Sequence, residues 1–157
     1  ISDYTFSKCI SLTEIKIPGN IREIGYKSFS GCSGLREISI PSTVKTVGIG
    51  AFENCTELKD ISLPTTLTEI NYYTFSGCTS LTTLTLHSKL TAINNYAFAG
   101  CKSLTEIHCK NSNPPLIGEN TFRDVNRIGC KIFVPSKRAK KSYSTALYWN
   151  EFTIYIE

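Results

Sequence analysis

The 157-residue sequence has few of the features that usually reveal a protein's chemistry or location. It has no apolar run long enough to span a bilayer, and no segment resembles a secretory signal. The formal net charge is only +4, from 17 basic and 13 acidic residues, and no RNA- or DNA-binding motif accompanies it. We therefore expect neither a membrane span nor a nucleic-acid partner. Hydrophobic residues make up 41% of the chain, which is typical of a folded domain.

Catalytic signatures are equally scarce. The two histidines, His87 and His108, lie far apart in the sequence, and no Ser/His/Asp or Cys/His arrangement is suggested. Neither a GxGxxG pattern nor a P-loop occurs. We therefore expect no catalytic residues, no metal and no cofactor, and we expect that the protein is not an enzyme.

The strongest signal is a repeat of 23 residues, and five columns of residues keep this step. The phenylalanine column comprises Phe6, Phe29, Phe52, Phe75 and Phe98. The cysteine column comprises Cys9, Cys32, Cys55, Cys78 and Cys101. One leucine column and two further aliphatic columns follow in the same frame. Because one unit cannot bury its apolar side alone, the repeat predicts a solenoid of stacked coils with parallel strands about 4.8 Å apart.

Each unit predicts a strand followed by turns. Residues 35–41 end in an apolar–polar alternation, which suits a strand with one buried face, and Pro41 then ends the strand. Residues 26–30 predict a single helical or 3₁₀ turn. Left-handed backbone is predicted before that turn at Gly25, Gly48, Asn71, Asn94 and Gly118, and after it at Gly31, Asn54, Gly77 and Gly100. The residue before each phenylalanine is small, which predicts close packing between coils.

We interpret residues 1–157 as a single repeat domain. Residues 1–122 hold about five repeats, of which the first coil is incomplete, and residues 123–157 form a C-terminal cap. Because solenoids need polar caps, we expect further repeats before Ile1. In the cap, Lys131–Pro135 predicts a final strand and Ser136–Ala146 a basic helix. Three aromatic residues are expected to seal the last coil, namely Tyr148, Trp149 and Phe152.

The unit F-x-x-C-x-x-L-x-x-I-x-[IL]-P-x-x-[ILV]-x-x-I-[GN] resembles the 23-residue Treponema-type, or BspA-like, leucine-rich repeat. The match is visible in residues 29–48, 52–71 and 75–94, where His87 replaces the proline of the last unit. The ending, with Val134-Pro135 before a helix and then W-x-x-F, looks like that family's terminal module.

The resemblance implies a leucine-rich repeat solenoid, which by convention is grouped with α/β horseshoe folds but is rich in β-structure. Parallel strands would lie on one face, with short helical or 3₁₀ turns at the corners and a C-terminal cap. It also implies an extracellular or cell-surface location, mostly in bacteria, and a role in adhesion. The family has no shared catalytic residues.

Seven cysteines allow a disulfide ladder, a metal site or buried free thiols. Zinc needs four ligands around a point, whereas this column forms a line. Val125 replaces the cysteine in the last repeat and Cys109 replaces an aliphatic residue elsewhere, as expected for a small buried hydrophobe. Cys130 would point inward two residues before Ile132, whereas Cys109 aligns with Val134, so a bond between these two cysteines is not expected. These observations favour buried free thiols.

Two surfaces are candidates for binding a protein or another cell-surface macromolecule. The strand face has one outward column of Glu14, Glu37, Asp60, Thr83 and Glu106, and a second of Lys16, Ser39, Ser62, Thr85 and His108. It is expected to lack the aromatic anchors that binding hot spots favour. The tyrosine edge comprises Tyr26, Tyr72, Tyr73 and Tyr96. The alternative interpretation is that both surfaces are solvated and only cover the core.

For the whole chain we expect a non-catalytic binding or adhesion module. The alternative is a rigid spacer that presents other domains and has no ligand of its own. The basic run at residues 137–141 is interpreted as a solvated helix face, with binding of an acidic polysaccharide or an anionic surface as its alternative.

Overall fold

The computed structural model describes all 157 residues as a stack of coils with short parallel strands. In chain order the strands are β1 (Glu23–Ile24), β2 (Glu37–Ser39), β3 (Thr46–Val47), β4 (Asp60–Ser62), β5 (Glu69–Ile70), β6 (Thr83–Leu86), β7 (Ala92–Ile93), β8 (Glu106–Cys109), β9 (Leu116–Ile117), β10 (Lys131–Val134) and β11 (Thr153–Ile156). Helix α1 spans Lys137–Thr145, and a 3₁₀ helix spans Trp149–Glu151. The predicted parallel-strand solenoid is confirmed. No helix is both long and apolar enough to cross a bilayer.

The strand face is built from six strands in two sheets. Strand β2 pairs with β4, whereas β6, β8, β10 and β11 form a second sheet in the order β6-β8-β10-β11. Strands β4 and β6 are neighbours in space but are not joined as a sheet. Each pairing advances by one coil, so Glu37 lies opposite Asp60 and Thr83 opposite Glu106. The strand face therefore has a seam between its third and fourth coils.

A second parallel ladder was not predicted from the sequence. It consists of two-residue strands, with β1 paired to β3 and with β5, β7 and β9 in one sheet. Strands β1, β3, β5 and β7 each end in a buried aliphatic residue, namely Ile24, Val47, Ile70 and Ile93. A strand of two residues is too short to show an alternation in the sequence, so only stacking of the coils reveals it.

The predicted single turns lie at the corners as isolated turns of 3₁₀ type, and they do not extend into a helix. Within residues 26–30, the Lys27 amide donates to the Ile49 carbonyl of the next coil at 3.0 Å, whereas the Ser30 amide donates to the Lys27 carbonyl in its own coil at 3.2 Å. Because some amides bond within the coil and others to the neighbouring coil, a regular helical bonding pattern cannot form.

The prediction of left-handed backbone is confirmed at one corner position and wrong at the other. It holds at Gly31, Asn54, Gly77 and Gly100. At the earlier corner, positive φ occurs two residues later than predicted, at Lys27, Gly50, Tyr73 and Tyr96. Gly48 instead allows close approach, because a Cβ there would lie 2.6 Å from the backbone carbonyl carbon of Gly25. Asn71 occupies the same column and donates its side-chain amide to the Val47 carbonyl at 2.8 Å.

The core is one cluster of 38 buried residues that runs along the stack. Its centre is a ladder of parallel phenylalanine rings, with centroids 5.1 Å apart at Phe6–Phe29 and 5.6 Å apart at Phe98–Phe122. The small residues before the phenylalanines are buried at Ser28, Ala51, Thr74, Ala97 and Thr121, in agreement with the predicted close packing, whereas Thr5 is exposed.

The cap agrees with the sequence analysis for its helix and differs in its last strand. Helix α1 begins after Ser136, whose hydroxyl accepts a hydrogen bond from the Ala139 amide at 3.1 Å. The strand predicted to be final, β10, is followed by β11, which pairs with it in parallel. Sequence reasoning missed β11 because residues 153–156 lie beyond the last recognisable repeat.

Trp149 and Phe152 seal the last coil, as predicted. Both contact Phe122 edge to face, with ring centroids 5.8 and 5.6 Å away, and the indole N–H of Trp149 donates to the Pro115 carbonyl at 2.8 Å. The third aromatic residue of the seal is Tyr143, which is fully buried and packs on Trp149 at 5.3 Å. Tyr148, which was predicted for this role, is only half-buried.

Candidate binding surfaces

A shallow concavity of about 860 Å³ lies on the strand face of the first three coils. Its lining includes six residues of the two predicted columns, namely Glu14, Lys16, Glu37, Ser39, Asp60 and Ser62. Residues 14–17 form no regular strand, but the Thr13 carbonyl accepts a hydrogen bond from the Arg36 amide at 3.1 Å. The backbone of this segment therefore continues the face set by β2 and β4.

Three carboxylates and one ammonium, that of Lys16, line the concavity, so its net charge is negative. Glu37 and Asp60 lie opposite each other in register and are exposed. Neither they nor Glu14 forms an ion pair. Like charges on directly opposed strand positions repel each other, so this arrangement does not stabilise the sheet. The carboxylates are free to interact with cationic groups of a partner.

The remaining predicted strand-face residues lie across the seam and do not line the concavity. They are Thr83, Thr85, Glu106 and His108. His108 lies between two carboxylates, with Nδ1 2.5 Å from Glu157 and Nε2 3.5 Å from Glu106. The Lys110 ammonium is 2.5 Å from the other oxygen of Glu157. The hydrogen bonds of Lys110 and His108 lower the pKa of the Glu157 carboxyl.

An aromatic ladder on this half of the strand face was missed by the sequence analysis. It comprises His108, Phe133 and Tyr155, which lie in register on three adjacent strands. The His108 and Phe133 rings stack with centroids 4.8 Å apart, and Phe133 and Tyr155 are 5.6 Å apart. Tyr155 is 41% exposed, and the Lys131 ammonium lies 6.0 Å from its ring. The expectation of a strand face without aromatic anchors is therefore wrong.

The signal for this ladder lay partly in the sequence. Extending the His108 column into the already predicted strand at 131–135 would have placed Phe133 beside it. Tyr155 could not have been found in this way, because β11 itself was not predicted.

The tyrosine edge divides into two groups rather than forming one continuous surface. Tyr73 and Tyr96 stack in parallel with centroids 4.9 Å apart, and both have positive φ. Tyr26 instead packs edge to face against Tyr4 at 5.2 Å. Tyr72 is the most exposed of the four predicted residues, at 45%. Part of this aromatic surface is therefore used for contacts between neighbouring coils.

The cysteines form a column of core residues. All seven are free, and all except Cys9 are buried. The Cys55 thiol donates to the Phe29 carbonyl at 3.2 Å, and the other buried members of the 23-residue column donate in the same way. Burial raises the pKa of both Cys55 and Cys101 to about 12. Such thiols remain protonated and unreactive at neutral pH.

Comparison with known proteins gives the family. The model of the BspA type leucine rich repeat region matches residues 1–133 in six copies. The chain is 30% identical to a leucine rich cell surface protein from Faecalibacterium prausnitzii A2-165, with a TM-score of 0.72 over 84% of this chain and 35% of that one. It is also 30% identical to the T. pallidum leucine rich repeat protein TpLRR, with a TM-score of 0.66 over 69% of this chain and 50% of that one.

The pneumococcal vaccine antigen PcpA shares the fold, with a TM-score of 0.65 at 23% identity, over 92% of this chain and 41% of that one. No curated protein matches the chain. The chain spans half or less of the length of each of these three structures. Because the six-copy match covers most of the sequence and the coils stack as the repeat requires, the chain belongs to the BspA-type leucine-rich repeat family.

Proposed function

We propose that the chain is a non-catalytic binding module of an extracellular or cell-surface protein, and that it binds a protein partner through its strand face. The observation that carries this proposal is the aromatic ladder of His108, Phe133 and Tyr155 on the parallel sheet, in which His108 and Phe133 are half-buried and Tyr155 is 41% exposed. The name of the F. prausnitzii relative, a leucine rich cell surface protein, supports the proposed location.

The ladder suits a binding hot spot. Aromatic residues dominate the energy of many protein interfaces because they bury large apolar areas and have few rotatable bonds. Phe133 stacks between His108 and Tyr155, so its ring is already ordered before a partner arrives. Pre-ordered side chains lower the entropic cost of binding.

The acidic concavity complements the ladder. It lies on the same face, beyond the seam, and its unpaired carboxylates at Glu37 and Asp60 suit a partner with basic side chains. Opposite charges steer encounter and set orientation more than they add affinity. We therefore propose that the ladder supplies affinity and that the acidic coils supply orientation and selectivity.

The proposal is tested with a panel of purified extracellular-matrix proteins in a surface-based binding assay. For any protein that binds, the double variant Phe133→Ala/Tyr155→Ala is expected to weaken binding by roughly ten-fold or more. The variant Glu37→Lys/Asp60→Lys is expected to slow association, with an effect that fades at high salt. Urea unfolding must show that each variant remains folded.

Tyr72→Ala/Tyr73→Ala is the matched comparison on the other candidate surface. If this variant loses binding while the two strand-face variants retain it, the tyrosine edge is the site and the strand-face assignment is wrong. If no protein in the panel binds, the rigid spacer becomes the better account of this chain.

A further inference from the structure

The charge of the molecule is concentrated in its cap. Residues 1–122 contain ten basic and ten acidic residues, whereas residues 123–157 contain seven basic and three acidic residues. The repeats are therefore neutral in total, and the whole formal charge of +4 belongs to the cap. Two of the cap's three carboxylates are already paired, Glu151 with Arg127 and Glu157 with Lys110.

Most of the cap's unpaired positive charge lies on helix α1. Lys137, Arg138, Lys140 and Lys141 are all exposed, and none of them forms an ion pair. Side chains three and four positions apart on a helix are neighbours, so these four cations form one patch. We name it the α1 basic patch.

Stability does not account for the α1 basic patch. Like charges at this spacing destabilise a helix, and cations in its first turn oppose the helix dipole. The first turn of α1 contains no acidic residue, and its last turn contains no basic one. The hydroxyls of Ser142, Ser144 and Thr145 donate hydrogen bonds to backbone carbonyls of α1. These bonds do not neutralise the charge of the four cations.

We propose that the α1 basic patch binds an anionic polysaccharide, rich in sulfate or carboxylate groups. A lipid surface fits less well, because helices that lie on membranes insert an exposed apolar face. In α1 the apolar residues Ala139 and Tyr143 are buried against the core, and the exposed face is polar. The choice of a glycan over other polyanions rests on the proposed cell-surface location. The existence of the patch does not depend on that location.

The test measures binding of the full chain to dextran sulfate, polygalacturonate and uncharged dextran, at about 50 mM salt and then at increasing salt. We expect binding to one or both charged polymers, none to dextran, and an affinity that falls steeply with salt. The variant Lys137→Gln/Arg138→Gln/Lys140→Gln/Lys141→Gln should weaken this binding by roughly ten-fold or more and flatten its salt dependence. Ser136, which caps the helix, is unchanged, and circular dichroism confirms the fold.

The matched control is Lys45→Gln/Lys59→Gln/Lys89→Gln/Lys102→Gln, which removes the same charge from the repeats. It should retain binding within about two-fold, because these residues lie outside the patch. Equal loss in the control would overturn the proposal, since net charge alone would then explain binding. Failure to bind either polymer, or stronger binding to duplex DNA or to phosphatidylserine vesicles, would also overturn it.

This test is independent of the proposed protein-binding function. The strand-face variant Phe133→Ala/Tyr155→Ala should bind the charged polymers as the unmodified chain does. The α1 variant should still bind any matrix protein recognised by the strand face. Loss of one activity without the other therefore shows which proposal has failed.

Discussion

Within residues 1–157, the phenylalanine column is covered on one side at Phe6 and on both sides at Phe122. Phe6 is half-buried in the first coil, where Cys9 is exposed and Ile10 is 65% exposed. Phe122 is only 2% exposed, because Trp149 and the other cap aromatics cover the side that has no further coil. A residue's place in the repeat therefore does not set its burial. Burial requires a neighbour on each side, as expected for a molecule stabilised by contacts between successive coils.

The comparison shows that burial depends on having a neighbouring coil or the cap on each side. Its largest testable consequence is that raising the pH should destabilise the fold, because the buried thiols resist ionisation. Burial raises the pKa of Cys55, Cys101, Cys109 and Cys130 to about 12, above the value near 8.5 of a thiol in an unfolded chain. Their stabilising contribution is complete below pH 8.5 and is lost as the pH rises towards 12, because only the unfolded chain ionises easily. Above pH 8.5, each such thiol should remove at most about 1.4 kcal/mol of unfolding free energy per pH unit.

Urea unfolding between pH 8 and pH 11 measures this loss. Cys55→Ala should make the decline shallower by about one thiol's share, because it removes one buried thiol whose pKa is raised. If Cys55→Ala had the same slope as the unmodified chain, the conclusion that burial raises the pKa of Cys55 would be wrong.

Removing the central aromatic residue of the cap should have the next largest effect. Trp149→Ala takes away the packing on Phe122 and the hydrogen bond to the Pro115 carbonyl, and should lower the free energy of unfolding by about 3–5 kcal/mol. Leu147→Ala is the control, because Leu147 is 69% exposed, and it should change stability by less than about 0.5 kcal/mol. Chemical denaturation measures both variants. A small effect of Trp149→Ala would show that the cap does not protect the last coil.

Serine substitutions compare the exposed and buried cysteines at neutral pH. Cys78→Ser places a hydroxyl in the apolar core and should cost roughly 1–3 kcal/mol, near the lower end because the Phe52 carbonyl can still accept its hydrogen bond. Cys9→Ser should cost less than about 0.5 kcal/mol, since the thiol is already exposed. Thermal or urea unfolding distinguishes them, and equal costs would contradict the contrast in burial.

The smallest perturbation is chemical labelling of the unmodified chain. With iodoacetamide at neutral pH, Cys9 should react rapidly, and the six buried cysteines should react only as the coils open. Mass spectrometry should show one early adduct in the folded protein and all seven in urea. Early labelling of Cys78 or Cys101 would mean that the middle coils open more readily than their packing indicates.

The sequence predicted the candidate sites less completely than the fold. The two outward columns followed from alternation and repeat spacing, because side chains on a strand point alternately to its two faces. Phe133 could have been added by extending the His108 column, but Tyr155 lies on a strand with no repeat signature. Which of the surfaces binds a partner stays a prediction, since exposed side chains alone do not identify a ligand.

By itself, the sequence determined the 23-residue period, the buried face of each main strand, the column of core cysteines and the bounds of helix α1. These features depend on local alternation, spacing and capping, all of which can be recognised along one chain. Only the tertiary structure decided the second ladder, the position of positive φ at Tyr73 and Tyr96, the seam between β4 and β6, and the contrast between Phe6 and Phe122. Each of these depends on hydrogen bonds or packing between coils, and such contacts exist only once the coils are stacked.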